Sequence, residues 1–407
     1  MEKSEIYRSG NYPGIFKGII LWSLILICAN CGNDKHYFKP VIYHSCTSNL
    51  SGIVNCWGDN ESGQLGAGDR SANDSIVSVV GVSDAINTTI NTSSSCAVKK
   101  DGAVLCWGKY AGEGPGYSHD ITPSSLTGFA NGFKQISLGA DHLCGVSFDG
   151  SVKCIGQNEE YQIGNYNSES DFMHPATRVN LPEVAVKVSA GMRFTCAIAG
   201  VSGHIYCWGA NYNGQLGNGA PGGNTAVPNM VVGIEGAVDV STGYFHSCAV
   251  SSDGGVWCWG ANFEIHYDDG NPTFRRFIGI FGSPDYSYKI DPNEDDRHVP
   301  VGVAGISNAT KVSCGGYHTC VVLSDGNLVC WGSNNYGQLG DRTHYSKPER
   351  EYVEFPDGPV VDVQAYTYHT CAKNLKGDVY CWGLNNRGQL GDGTRFMRWV
   401  PTKVEGF

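Results

Sequence analysis

The strongest constraint on the fold is a short segment that returns seven times along the chain. Its fullest copy, residues 206–217, reads Tyr-Cys-Trp-Gly-Ala-Asn-Tyr-Asn-Gly-Gln-Leu-Gly. From one copy to the next, the cysteines are spaced by 50, 48, 53, 51, 72 and 51 residues. Seven copies at a period near 50 are typical of a propeller or a solenoid array.

Each repeat contains four short strand-like runs separated by turn residues. In the fifth repeat the runs are residues 231–233, 237–240, 247–250 and 255–259, and Asp253-Gly254 predicts a hairpin between the last two. No segment keeps a 3.6-residue apolar period, which excludes a helical solenoid. We therefore predict an all-β fold, namely a seven-bladed β-propeller with four-stranded blades and an N-terminal signal segment.

The repeat also resembles that of a known family. Its elements combine into Gly-x-x-His-x-Cys-x-Val, followed by Asp-Gly-x-Val-x-Cys-Trp-Gly-x-Asn-x-x-Gly-Gln-Leu-Gly. This pattern resembles the repeat of the regulator of chromosome condensation family, which implies a seven-bladed propeller over residues 38–407. The first repeat lacks the Val-Pro-x-x-Val strand of the others, and residues 400–404 supply that motif after the last repeat. We expect this segment to complete the first blade.

Each repeat cysteine has a second cysteine ten or eleven residues upstream. If the residues between them form a hairpin, Val98 faces Val104 and Cys96 faces Cys106. Opposed Cα atoms on antiparallel strands lie about 4.5–5.5 Å apart, which suits a disulfide. Zinc sites are the alternative, but zinc needs converging ligands and these pairs lie in separate blades. The expected disulfides are Cys46–Cys56, Cys96–Cys106, Cys144–Cys154, Cys196–Cys207, Cys248–Cys258, Cys320–Cys330 and Cys371–Cys381.

The N-terminus predicts export, to a compartment where disulfides persist. Arg8 and Lys17 precede the apolar run 18–27, which is short for a membrane span but typical of a signal peptide. Cys31 follows as at a lipoprotein cleavage site, although Asn30 replaces the usual small residue. We predict a lipoprotein-like signal peptide over residues 1–30, lipidation of Cys31 and a tether over residues 31–37. A plain cleaved signal and an uncleaved anchor are the alternatives.

Two features vary against the repeated framework. The 72-residue spacing implies an insertion within residues 262–298, where a partner-contacting loop is favoured over a cation site because no EF-hand pattern is present.

The residues before each repeated histidine also differ, and aromatic residues and arginine are enriched at protein interfaces. From these turns we predict a partner-binding surface made of Tyr43, Arg193, Tyr244, Phe245, Tyr317 and Tyr368.

Catalytic and ligand sites are not expected. Histidines stand two residues before the first cysteine in five repeats, and we favour a packing and hydrogen-bonding role within each blade over a metal ring. The chain has no nucleophile elbow, no His-Glu-x-x-His motif and no paired carboxylates at a repeated position. We predict no catalytic residue, no cofactor site and no metal site, and therefore a protein that is not an enzyme. The five histidines are His44, His142, His246, His318 and His369.

The net charge of −11 argues against nucleic acid, which binds through clustered lysine and arginine. We predict a monomeric, extracytoplasmic module that binds an unidentified protein and meets a membrane only through its lipid anchor. Its location would be the cell envelope, as an outer-membrane or cell-surface lipoprotein, or the medium outside the cell.

The resemblance implies two alternatives. One is an inhibitor of a secreted enzyme such as a β-lactamase, and the other is a guanine nucleotide exchange factor for a small GTPase. The signal peptide and the disulfides disfavour the second.

Overall fold

The computed structural model describes residues 41–109, 120–129, 131–167, 174–220, 222–268, 271–277 and 296–407. The predicted signal peptide, the tether and Cys31 lie outside these residues. The described residues contain 29 strands. None of these residues belongs to a helix long and apolar enough to cross a bilayer.

The strands form seven sheets arranged as blades, and a separate hairpin. The strands of the first three blades are β1 (His44–Ser48), β2 (Val54–Gly58), β3 (Asn73–Ser78), β4 (Ala85–Ile90), β5 (Ser94–Lys99), β6 (Val104–Gly108), β7 (Asp120–Ser125), β8 (Phe133–Leu138), β9 (His142–Ser147), β10 (Val152–Gly156) and β11 (His174–Val179). Those of the fourth and fifth are β12 (Ala185–Ala190), β13 (Phe194–Ala199), β14 (Ile205–Gly209), β15 (Thr225–Met230), β16 (Ala237–Thr242), β17 (His246–Ser251), β18 (Val256–Gly260) and, after the hairpin β19 (Phe263–Asp268) and β20 (Asn271–Phe277), β21 (Arg297–Gly302). The last two contain β22 (Ala309–Cys314), β23 (His318–Leu323), β24 (Leu328–Gly332), β25 (Lys347–Val353), β26 (Val360–Ala365), β27 (His369–Asn374), β28 (Val379–Gly383) and β29 (Arg398–Lys403).

The predicted seven-bladed propeller is confirmed, but the predicted closure is wrong. Each blade is an antiparallel meander whose strands pair in chain order. The terminal strand β29 pairs with β28, in the register Cys381↔Thr402, and completes the seventh blade instead of the first. The Val-Pro-x-x-Val motif therefore ends a blade, whereas the repeat pattern predicted that it opens one. The first blade has three described strands, β1, β2 and β3.

The predicted hairpin register is confirmed. Val98 faces Val104 and Cys96 faces Cys106 across β5 and β6. The same alignment opposes the paired cysteines in every blade, including the pair separated by eleven residues, Cys196 and Cys207. All seven pairs are bonded in the structure, with Cα–Cα distances of 4.1 Å. Each disulfide thus joins two adjacent strands of a single blade.

Neighbouring blades meet at seams, and among the described residues a repeated contact closes five of them. The buried tryptophan of Cys-Trp-Gly donates its indole N–H to the glutamine carbonyl of the preceding repeat's Gly-Gln-Leu-Gly or Tyr-Gln-Ile-Gly loop. The ring closes through the same contact between Trp57 and Gln389, at 2.9 Å. Closure therefore depends on side chains and loops shared by all these seams. The other four pairs are Trp107–Gln64, Trp208–Gln162, Trp259–Gln215 and Trp382–Gln338.

Inner strands β4, β8, β12, β16, β22 and β26 line a central channel of about 600 Å³. Their hydroxyl side chains accept hydrogen bonds from the backbone of the next blade, as when Ser189 Oγ accepts from Thr242 N at 3.0 Å. Two ion pairs cross the same seams, Lys187–Asp239 and Lys311–Asp362. The channel wall is thus polar, with many of its polar groups bonded from blade to blade.

Candidate functional site

Five of the six predicted partner-binding residues lie in equivalent turns between the first and second strands of their blades, and Tyr43 lies directly before β1. In every blade, the carbonyl before the strand with the first paired cysteine accepts a hydrogen bond from the residue after the strand with the second paired cysteine. Examples are Ala261 N to Phe245 O at 2.8 Å and Leu384 N to Tyr368 O at 2.9 Å. The turns before the first of these two strands and the loops after the second therefore share one side of the propeller. We call this side the turn face.

One half of the turn face is aromatic. Tyr244 packs edge-on against Tyr317 with ring centroids 5.7 Å apart, and Phe245 lies 6.4 Å from Tyr317. The Tyr244 hydroxyl and Thr367 Oγ1 are 2.7 Å apart, which ties the fifth blade to the seventh. Aromatic rings at these separations attract one another beyond simple burial. We call the set the aromatic cluster; it consists of Val41, Tyr43, Tyr244, Phe245, Tyr317, Tyr336, Tyr368 and Leu384.

Two of the predicted partner-binding residues are buried in the structure. Tyr317 and Tyr368 are each 2% exposed, because other rings of the cluster cover them. Tyr43, Tyr244 and Phe245 are half-buried and form the accessible part. Tyr336, which is also half-buried, belongs to the same surface but was not predicted. It occupies the variable position before Gly-Gln-Leu-Gly, where the other repeats have residues such as Ser62 and Arg387, so variation at that position could have revealed it.

The other half of the turn face is charged. Arg193 lies 3.3 Å from a carboxylate oxygen of Glu159 and 3.6 Å from one of Glu160. Tyr212 donates its hydroxyl to Glu160 at 2.7 Å. Burial raises the pKa of Asp141, and the positive charge of Arg193 partly opposes that rise. Arg193 therefore lies in an ion-pair network outside the aromatic cluster, and the predicted surface divides into two chemically different halves.

The repeated histidines lie beneath these turns and join neighbouring blades. Each Nε2 contacts a hydroxyl of the following blade, so the predicted bonding within a blade is wrong. Thr195, for example, donates to Gln162 O at 3.0 Å and can accept from His142 Nε2 at 2.9 Å, a pattern that a neutral Nε2–H tautomer satisfies. A Cβ on Gly315 would lie 2.4 Å from the His318 ring, so glycine in this turn permits the close packing. The five contacts are His44–Ser95, His142–Thr195, His246–Thr319, His318–Thr370 and His369–Ser45.

Burial dominates the electrostatics of the histidines. It lowers the pKa of His44, His142, His246 and His318 to about 3, and the pKa of His369 well below its usual range. The rings are therefore neutral at physiological pH. Among the described residues, one trio has the spacing of metal ligands, His246, Cys248 and Cys314. Cys248 is bonded to Cys258, so its sulfur is not available to a metal.

The insertion emerges on the turn face beside the aromatic cluster. It begins directly after Ala261, whose N–H is bonded to Phe245 O, and its described part is the hairpin of β19 and β20. The side chains of this hairpin, together with residues 269–270 and 278–295, lie outside the described part of the chain. The position of the hairpin's first strand nevertheless puts the insertion next to Phe245.

Comparison with known proteins agrees with this architecture. The regulator of chromosome condensation (RCC1) repeat matches residues 133–162, 185–215, 237–264, 309–338 and 360–389, and a second form of its pattern matches residues 202–250, 325–372 and 376–407. The ultraviolet-B receptor UVR8 of Arabidopsis thaliana is 30% identical over 372 residues, which cover 88% of this chain and 78% of the receptor. The human E3 ubiquitin-protein ligase HERC2 is 26% identical, but the chain matches only 7% of its length.

Two solved structures share the fold. Human WBSCR16 superposes with a TM-score of 0.71 at 21% identity, covering 87% of this chain and 94% of that one. Yeast RCC1 (Prp20), solved bound to Kap60, has the same TM-score at 15% identity, covering 98% and 91%. Fold and repeat together define a seven-bladed β-propeller. The chain belongs to the regulator of chromosome condensation repeat family.

Proposed function

We propose that this chain is an extracytoplasmic propeller that binds another protein through the aromatic half of its turn face. The observation that carries the proposal is the group of half-buried rings, Tyr43, Tyr244, Phe245 and Tyr336, which belong to one cluster with the buried Tyr317 and Tyr368. Interface energy concentrates in a few rigid aromatic anchors, and rings that are already packed lose little conformational entropy on binding. The cluster supplies such anchors on one side of the ring.

The cysteines support the extracytoplasmic part of the proposal. Fourteen of the 17 cysteines form the seven pairs, each opposed across a hairpin. Disulfides form and persist in oxidising compartments, and a reducing cytosol would keep these thiols free. Thiol titration of the denatured, unreduced protein from its native host tests the compartment. The proposal expects at most three of the 17 cysteines to react, and reaction of all 17 would place the protein in a reducing compartment.

Binding is tested by capture followed by a matched substitution. The wild-type chain, immobilised, is exposed to an extract of the compartment in which it is found, and retained proteins are identified. Phe245→Ala should lose a specific partner, whereas Phe148→Ala should keep it. Phe148 is 57% exposed in a turn between the second and third strands, at the opposite end of its blade from the turn face. Equal retention by both variants would exclude the aromatic cluster as the contact surface.

A further inference from the structure

Three sulfur atoms meet at the seam between the fifth and sixth blades. Cys314, at the end of β22, is a buried free cysteine on the wall of the channel. Its Sγ lies within 4.8 Å of the Sγ of Cys248 on β17, which is bonded to Cys258 on β18. A free thiol thus lies beside a disulfide of the neighbouring blade.

No other described seam has this arrangement. Cys314 is the last residue of its inner strand, and the corresponding residues of the other described inner strands carry no sulfur. The fifth repeat, which precedes this seam, also carries the insertion and has no Gly-Gln-Leu-Gly motif. The corresponding residues are Ile90, Leu138, Ala190, Thr242 and Ala365.

We propose that Cys314 exchanges with the Cys248–Cys258 disulfide to form an alternative crosslink, Cys248–Cys314. The Cys314 thiolate attacks the Cys248 sulfur, the Cys248–Cys258 bond breaks, and Cys258 leaves as a thiolate that takes up the proton lost by Cys314. One disulfide and one thiol are present before and after the step, so neither oxidant nor reductant is consumed.

The exchange changes what the disulfide holds together. The Cys248–Cys258 bond joins β17 to β18 within the fifth blade, whereas a Cys248–Cys314 bond joins β17 to β22 across the seam. The chain would therefore have two covalent isomers, one of which staples the seam beside the insertion. Burial raises the pKa of Cys314 to about 12, and since only the thiolate attacks, interconversion of the folded isomers is slow.

Time-resolved mapping of the thiol label on Cys314 and Cys258 tests the proposal. The folded full-length chain is incubated at mildly alkaline pH, quenched with acid, and labelled in acidic denaturant with N-ethylmaleimide. Non-reducing peptide mapping then locates the label. Label on Cys314 should fall, label on Cys258 should rise by the same amount, and a peptide linking Cys248 to Cys314 should appear in step.

Two variants make the test specific. Cys314→Ala restores the residue found at Ala190 and Ala365, and should abolish labelling of Cys258 while leaving the chain folded. Thr242→Cys, made in the Cys314→Ala background, places a thiol at the corresponding position beside Cys196 and should transfer label to Cys207. Label that stays on Cys314 throughout would overturn the proposal. So would label and links spread over many blades, because that result indicates exchange in unfolded chains.

Discussion

The seams and the turn face are built from adjacent residues of the same repeat. The seam residues recur from repeat to repeat, whereas the turn residues vary. His246 is fully buried and bonded to the next blade, whereas Phe245, one residue earlier, is half-buried in the aromatic cluster. Likewise, His44 is fully buried, whereas Tyr43, one residue earlier, is half-buried. A seam must present the same geometry to each neighbour and so repeats its residues, whereas a turn is free to vary because no neighbouring blade requires it.

The largest effect is expected from a seam tryptophan. Trp382 is fully buried and bonded to Gln338 O at 2.9 Å, so Trp382→Ala should cost about 3–5 kcal/mol of unfolding free energy. Trp399 lies on β29 of the same blade and is 43% exposed, so Trp399→Ala should cost less than about 1 kcal/mol. Denaturant unfolding measures both. Equal losses would mean that the seam contacts do not hold the ring together.

A disulfide within one blade should contribute somewhat less. The loop closed by Cys371 and Cys381 spans about 11 residues, which corresponds to about 2.8 kcal/mol on the chain-entropy model. Replacing both cysteines with alanine should lower the free energy of unfolding by about 2.8 kcal/mol, as measured by denaturant unfolding. Non-reducing peptide mapping of the wild type should show Cys371 linked to Cys381. A link from either cysteine to another blade would contradict the hairpin register.

The buried histidines should make the seams sensitive to acid. The pKa of His44, His142, His246 and His318 falls from 6.5 in the unfolded chain to about 3 in the folded protein, so between these values the unfolded state binds more protons and stability falls as the pH falls. Each histidine should contribute a slope of about 1.4 kcal/mol per pH unit within that window. His142→Gln should therefore reduce the slope of unfolding free energy against pH by about 1.4 kcal/mol per pH unit in this window. An unchanged slope would mean that His142 is not buried as a neutral ring.

The hairpins within each blade were predictable from the sequence, whereas the seams and the turn face were not. A hairpin of known length determines which cysteines oppose each other, so all seven pairs followed from spacing alone. The role of the histidines was misjudged because their partners, such as Thr195 for His142, lie more than 50 residues away in the next blade. Likewise, spacing could not show that rings from the fifth, sixth and seventh blades meet, nor that their packing buries Tyr317 and Tyr368. Those contacts depend on side-chain directions that no repeat enforces.

A face residue should have the smallest effect on folding. Phe245 is only partly buried and bonds to neighbouring segments through its backbone, so Phe245→Ala should cost about 1–2 kcal/mol of unfolding free energy, well below Trp382→Ala. Denaturant unfolding of the two variants side by side gives the comparison. A loss as large as that of Trp382→Ala would make the aromatic cluster part of the structural framework.

The most direct test of the central claim is the affinity of a captured partner for Phe245→Ala, with Phe148→Ala as the control on the opposite side. A central aromatic anchor contributes about 2 kcal/mol or more to binding, so Phe245→Ala should raise the Kd about thirtyfold while Phe148→Ala leaves it unchanged. Titration calorimetry on folded variants measures both values. Wild-type affinity in Phe245→Ala, with the partner still bound, would contradict binding through the aromatic cluster.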